Sequence, residues 1–269
     1  MTTTTHASLI DESFVYTDEV HAHYEQEGYH IFDTFLTSEG VNFCKTNIER
    51  MIGELHPDTL PEEMICPHQR GERWVWDLAT EPKILDMIER QIGPDILLWA
   101  IHILAKRPRT GIDVPWHQDA PYWNVKGNLP GSIWIAVDDV DESNGTMSII
   151  PDWHTKGTLP RKETGSDNVF TEEIDPSALP DNVDGIKVTY RLKAGQMATH
   201  HTMLPHASTP NTSERWRQII TARYVAADAE LGEKTYFCPV TREPFQREFF
   251  LVRGKDVNGH GLRSSPFED

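Results

Sequence analysis

One short segment restricts the fold of this 269-residue chain more than any other: Trp116-His117-Gln118-Asp119-Ala120-Pro121-Tyr122-Trp123. It sets a histidine and a carboxylate two positions apart among large aromatics. Side chains at i and i+2 of a β-strand leave the same face, so an extended backbone here points His117 and Asp119 at one place and Gln118 away from it. An imidazole and a carboxylate converging on a point are part of a metal site. Iron(II) that must also admit O₂ and a co-substrate takes two imidazoles and one carboxylate on one triangular face, with the opposite face open. The segment therefore demands a third ligand from another part of the chain.

A His-x-Asp tripeptide is common by accident where 13 His and 42 acidic residues are present, so the second segment carries the weight. In His200-His201-Thr202-Met203-Leu204-Pro205-His206-Ala207-Ser208, continuing to Arg217, a histidine is followed two residues on by Ser208 and eleven residues on by Arg217. A small dicarboxylate beside a metal needs a chelating end and an anchored end, and a guanidinium fork anchors a carboxylate at two points where an ammonium gives one. Arg215 shares the face of Arg217 if this stretch is a strand, so it competes for the same task. His200 or His201 in place of His206 is a competing triad that loses the Ser and Arg spacings.

Together these segments resemble the phytanoyl-CoA dioxygenase family of Fe(II)- and 2-oxoglutarate-dependent oxygenases. The resemblance rests on Pro115 to Trp123, on Ser132-Ile133-Trp134-Ile135-Ala136-Val137-Asp138-Asp139, on Asn144-Gly145-Thr146-Met147-Ser148-Ile149-Ile150-Pro151, and on the run from His206 to Arg217. It spans residues 15 to 226. It implies that His117, Asp119 and His206 hold the iron, that Arg217 and Ser208 hold the far carboxylate of 2-oxoglutarate, and that Trp134 lines the co-substrate site. It further implies a reaction that consumes O₂, releases succinate and CO₂, and oxidises a C–H bond of a small molecule. Relatives that halogenate have a small residue at the carboxylate position, so Asp119 favours hydroxylation, or a related desaturation, epoxidation or ring closure. Two other classes stay open on the residues alone: a zinc hydrolase, since two His and a carboxylate also suit catalytic zinc, and a non-catalytic jelly-roll binding module.

The formal charge of −17 argues against a nucleic-acid or anionic-membrane partner held by a general electrostatic field. Cys44, Cys66 and Cys238 lie far apart and fit free thiols in a reducing compartment. Met-Thr-Thr-Thr-Thr-His lacks the basic region and apolar run of a secretory signal, and Ser-Pro-Phe-Glu-Asp is no peroxisomal address. The expected location is cytoplasmic. The sequons at Asn144 and Asn211 then read as ordinary turns.

The expected architecture is a single domain, mainly β with flanking α-helices, around a double-stranded β-helix (jelly-roll, cupin-like) core. Residues 1–95 form its mainly helical part, with helices from Thr17 to Gln26, from after Gly40, and from Pro82 to Ile92. Ile31 and Phe32 are read as packing beside the first helix. Residues 68–77 are read as a loop pinned by Trp74 and Trp76 or as part of the active-site mouth. Strands are expected at 96–104, 114–119, 132–138, 146–151, 186–190, 196–201 and 218–226, with residues 227–269 as an extension. The insertion 155–185, rich in turn residues, is read as a flexible flap over the substrate. Trp116, Gln118, Tyr122 and Trp123 are the expected substrate-pocket residues, with Arg191 to meet an anionic group.

Overall fold

The computed structural model describes residues 9–127, 131–164 and 171–268. Its helices are α1 (Asp18–Glu27), α2 (Ser38–Gly53), α3 (Arg73–Ala79), α4 (Pro82–Ile92) and the single turn α5 (Val183–Ile186). The strands begin with β1 (Tyr29–Phe32), β2 (Met64–Ile65), β3 (Ile96–Lys106), β4 (Val114–His117), β5 (Val125–Lys126) and β6 (Gly131–Ala136). They continue with β7 (Met147–Ile149), β8 (Arg161–Glu163), β9 (Glu172–Ile174), β10 (Val188–Thr189), β11 (Met197–His200), β12 (His206–Ser208) and β13 (Arg217–Ala226). The extension adds β14 (Glu230–Leu231), β15 (Thr235–Phe237), β16 (Pro244–Gln246) and β17 (Phe250–Arg253).

Two antiparallel sheets carry the site. The larger runs β1-β11-β6-β13-β3-β17 with β2 also on β3, and the smaller runs β10-β7-β12-β4. Eight of these strands, β3, β4, β6, β7, β10, β11, β12 and β13, alternate between the sheets along the chain, except at the β7–β10 step that the insertion bridges. That alternation is the jelly-roll winding.

Side-chain alternation on the large sheet separates scaffold from site. Ile101, Ile103 and Ala105 of β3 and Ile220, Ala222 and Tyr224 of β13 pack outward with Cys44, Ile48, Ile84 and Ile88 of the helices. The residues between them face inward. Lys106 and Leu104 of β3 thus share the inner face with Arg217, Ile219, Thr221 and Arg223 of β13.

The helices stand where their caps put them. The Thr17 hydroxyl accepts from the Val20 amide, and Gly28 ends α1 in a left-handed conformation (φ 78°). A Cβ there would lie 2.5 Å from His154 Nδ1, so this turn needs glycine for space as well. Helix α2 starts at Ser38, earlier than its apolar period predicts, because the Thr37 side chain caps the Gly40 amide at 3.0 Å. Ile31 and Phe32 do pack into the apolar clusters, Phe32 in the one that Val20 of α1 packs against, but they do so from a strand: once α1 has ended, residues 29–32 pair with β11. Residues 67–79 form a 3-10 turn and α3, with His68, Trp74 and Trp76 buried, so this stretch is helical core and neither a loop nor a mouth.

The described residues of the insertion, 155–164 and 171–185, dock against the body and none of them lines the cavity, while the middle of the expected flap lies outside the described residues. Leu159 and Ile174 are buried, and β8 pairs with β9. No helix among the described residues is long and apolar enough to cross a membrane. Replacing Thr37 with alanine removes the α2 cap and is expected to cost about 1 kcal/mol in urea unfolding without changing the slope of the transition.

Candidate metal and co-substrate site

Strands β4 and β12 lie side by side in the small sheet, with His117 directly opposite His206. Their ring centroids are 4.0 Å apart. Each imidazole is oriented the same way, with Nδ1 2.9 Å from the carbonyl two residues earlier, of Pro115 and Leu204 respectively. A carbonyl only accepts, so Nδ1 carries the proton in both rings and Nε2 is left as a lone-pair donor.

Asp119 completes the group by another route than the one the His-x-Asp spacing predicts. Strand β4 ends at His117, and Asp119 is helical (φ −65°, ψ −48°), opening the 3-10 turn Ala120–Tyr122 that Pro121 favours. Its amide and that of Ala120 both donate to Thr202 O, at 2.9 and 3.3 Å, tying the first ligand segment to the start of the second. Asp119 Oδ1 then lies 3.8 Å from His117 Nε2 and 3.9 Å from His206 Nε2. One ligand atom from each of the three falls within 4.8 Å of the others, and all three residues are buried.

The protonation states suit a cation. Burial, with His206 beside it, pushes His117 down to about 3, so the imidazole is neutral at physiological pH. Burial opposes ionisation of Asp119, but Arg223 and then the surrounding imidazoles outweigh it and hold the carboxyl well below the usual range. Two imidazoles presenting Nε2 and a carboxylate, with one open side, fit a divalent iron.

The cavity beside this triad has a volume of about 450 Å³. At one end, Arg217 and Lys106 stand directly opposite each other on β13 and β3. Arg217 is 4 % exposed and Lys106 1 %, and neither has a carboxylate within ion-pair distance among the described residues. Opposed like charges on adjacent strands destabilise a sheet, more so away from water. Burial and then Arg217 push Lys106 down to about 6, and burial lowers Arg217 to about 10. Lys106 donates to Ser208 Oγ (2.9 Å) and Thr209 O (2.6 Å), while Arg217 Nε is buried without a partner. Both cations are therefore arranged for an acid that would lie between them, with the Ser208 hydroxyl alongside and Trp134 in the wall.

Several expectations drawn from the sequence change here. Arg215 is exposed and pairs with Asp141 at 2.7 Å, which removes it as the buried anchor. Gln118 is a staple for the insertion: its amide donates to Gly157 O and Met203 O and accepts from the Leu159 amide. Trp116 points away from the cavity, as β-alternation next to His117 requires, and Arg191 is an exposed partner of Glu142. Tyr122 and Trp123 do line the cavity. His200 is buried against the cavity, 5.6 Å from His206 between centroids, whereas His201 faces outward and accepts the Met203 amide. Asn144 and Asn211, at 0 % and 1 % exposure, are internal staples; Asn211 Nδ2 donates to Arg215 O at 2.6 Å.

Two cavity residues, Lys106 and Arg223, were missed in the sequence. Lys106 follows a continuous apolar strand and reads as its solvated end; the signal was its two-residue spacing from Leu104 and four from His102, the inward set. Arg223 lay in a strand counted as core.

The phytanoyl-CoA dioxygenase (PhyH) family model matches residues 24–219, and the chain belongs to that family. It is a 2-oxoglutarate-dependent non-haem iron oxygenase. Mouse peroxisomal phytanoyl-CoA dioxygenase is 23% identical over 260 residues, covering 83% of this chain and 75% of that protein. L-proline trans-4-hydroxylase of Streptomyces griseoviridis is 25% identical over 163 residues, 55% of this chain and 61% of that protein. Among solved structures, the apo non-haem monooxygenase ThoJ superposes with a TM-score of 0.69 at 24% identity, over 92% of this chain and 88% of that one, which supports the fold.

Gly145 tests how tightly the cradle is built. It has φ 77°, and a Cβ there would lie 2.5 Å from Thr209 O and 3.1 Å from the Lys106 side chain. Gly145→Ala is expected to destabilise the protein by about 1–3 kcal/mol in denaturant titration and to weaken 2-oxoglutarate binding in parallel.

Proposed function

We propose that this enzyme hydroxylates an unactivated C–H bond of a small-molecule substrate. In this reading His117, Asp119 and His206 hold Fe(II), while Arg217, Lys106 and Ser208 hold the far carboxylate of 2-oxoglutarate. The observation that carries it is the buried Arg217–Lys106 pair in the same cavity as the triad, because a metal hydrolase has no use for a second, dry cationic cradle. When bound, iron with 2-oxoglutarate and O₂ supplies oxidative decarboxylation and an oxidant able to take hydrogen from carbon.

The protein's own contributions are positional. The carbonyls of Pro115 and Leu204 fix the imidazole tautomers, and Arg223 on Asp119 Oδ2 (3.4 Å) leaves Oδ1 turned toward the two Nε2 atoms. Arg217 gives the planar two-point grip that sets the co-substrate's direction. Trp134 and Met147 supply apolar wall to the cavity, limiting water beside the reacting carbon. The related L-proline trans-4-hydroxylase is the precedent for hydroxylation of a small molecule. Desaturation, epoxidation or ring closure would use the same site and differ in the product.

His117→Ala, Asp119→Ala and His206→Ala are each expected to abolish Fe(II)-dependent succinate formation; wild-type turnover in any one removes that residue from the triad. Arg217→Lys keeps the charge but loses the fork, so 2-oxoglutarate affinity should fall by about 1.5–3 kcal/mol with little change in iron affinity. Arg215→Lys should leave it untouched.

Lys106 also gives binding a pH signature. Free, its folded value of about 6 leaves it neutral at pH 7. An anion between Lys106 and Arg217 favours the charged form, so binding takes up a proton and affinity falls as pH rises above about 6. Calorimetry in buffers of different ionisation enthalpy should detect this uptake near pH 7.5, and Lys106→Met should remove it.

A further inference from the structure

Beyond the co-substrate cradle the cavity has a second cationic end at Arg223, of which only Nε is engaged by Asp119 of the triad. Arg217 and Arg223 share the inner face of β13 and both line the cavity, six residues apart. That is roughly 20 Å of strand at about 3.3 Å per residue. A five-carbon dicarboxylate gripped at Arg217 spans less than half of that distance. Arg223 sits at the register shift between residues 223 and 224, an irregularity of the kind that re-aims a side chain beside an active site.

Its guanidinium is only partly committed. Nε meets Asp119 Oδ2 at 3.4 Å, and the guanidinium carbon lies 5.8 Å from the ring centroids of both Trp99 and Trp123. Neither terminal nitrogen has a protein acceptor among the described residues. The C-terminal extension closes on this end. Lys234, Tyr236 and Phe237 from the β15 hairpin line the cavity, and the charges of Arg223 and Asp119 reach the Tyr236 phenol. The hairpin is held in place by buried Arg247, which donates to Trp123 O at 3.0 Å and stacks on Trp99, and by Arg242 on Glu63 at 2.9 Å.

Charge points the same way. With Lys106 charged, as a bound anion makes it, five Lys and Arg side chains and three carboxylates line the cavity, 5 − 3 = +2, inside a chain of net charge −17. A divalent metal and a co-substrate dianion cancel each other and leave that excess for a third ligand.

We propose that Arg223 anchors an anionic group, carboxylate or phosphate, of the small-molecule substrate, whose flat apolar body lies between Trp123 and the hairpin residues Tyr236 and Phe237. This rests on the iron and 2-oxoglutarate reading for its orientation toward the triad. It does not rest on it for the anion site itself.

The test uses three probes with a common naphthalene body: 2-naphthylacetate, 2-naphthyl phosphate and the neutral 2-naphthylacetamide. Their binding is read by tryptophan quenching on nickel-loaded protein saturated with 2-oxoglutarate, so that the Arg217 end is filled. At least one anion should bind about tenfold or more tighter than the amide, and whichever does identifies the group as carboxylate or phosphate. The margin should collapse in Arg223→Gln and return in part in Arg223→Lys. The same titration on metal-free Arg217→Ala protein should keep the margin, and it does so even if the metal reading fails. The proposal is overturned if the wild-type protein binds anion and amide equally or binds no probe below about 1 mM. It is also overturned if the margin survives Arg223→Gln, which with lowered nickel affinity would mean that Arg223 only orients Asp119, or if Arg217→Ala alone removes it.

Discussion

Arg217 and Lys106 face each other across adjacent strands, both buried and ion-paired with no carboxylate among the described residues, while Glu62 in the cavity wall is an acid whose charge reaches both. A sheet does not gain stability from such a pair; it tolerates the pair because the helices and the outer face of β3 and β13 supply the apolar burial that the inner face gives up. The cost is visible in the Lys106 ammonium, which burial and Arg217 push down to about 6. In the proposed function a bound dicarboxylate would relieve it, which would couple the stability surrendered at this point to co-substrate binding.

The scaffold that holds the pair is mostly backbone. Buried Asn144 donates to Asp139 O and accepts from the Asp141 amide, while Asn211 donates to the carbonyls of Arg215 and Lys106. These two side chains set where β13 begins, and so which arginine turns inward. Arg215 lies just before the strand, on the surface with Asp141, and Arg217 is the first strand residue facing in. On the opposite sheet the β4–β12 register brings two histidines together, and Thr202 O collects the turn that presents Asp119.

Much of this was legible in the sequence where one local rule decided. Thr17 and Gly28 bound α1, Pro82 opens α4, and the strands from Ile96 onward fall within a few residues of the apolar runs. The triad was legible through the family resemblance, since the His-x-Asp tripeptide alone is common by accident and His200 and His201 competed with His206; the structure brings His117, Asp119 and His206 together. What failed were readings in which direction depends on tertiary contact. The His-x-Asp spacing holds, but Pro121 and Thr202 convert its second half to a helical turn, so the two ligands converge through a bend. Gln118, Trp116 and Arg191 were assigned to the pocket by proximity in sequence, and alternation or a nearby carboxylate sends each elsewhere. Lys106 and Arg223 were hidden inside strands whose apolar character reports only their outer faces. The wall formed by Tyr236 and Phe237 was invisible because nothing local says where a short C-terminal hairpin will dock.

The most direct measurement is an anaerobic titration of the Fe(II)-loaded protein with 2-oxoglutarate, followed by visible absorption. The wild-type protein should show the charge-transfer band of a chelated 2-oxo acid, His206→Ala should show none, and Arg217→Lys should reach the same band only at higher 2-oxoglutarate concentration. Stoichiometric iron binding with no band at saturating 2-oxoglutarate would contradict this, because the triad and the cationic cradle would then not serve one ligand.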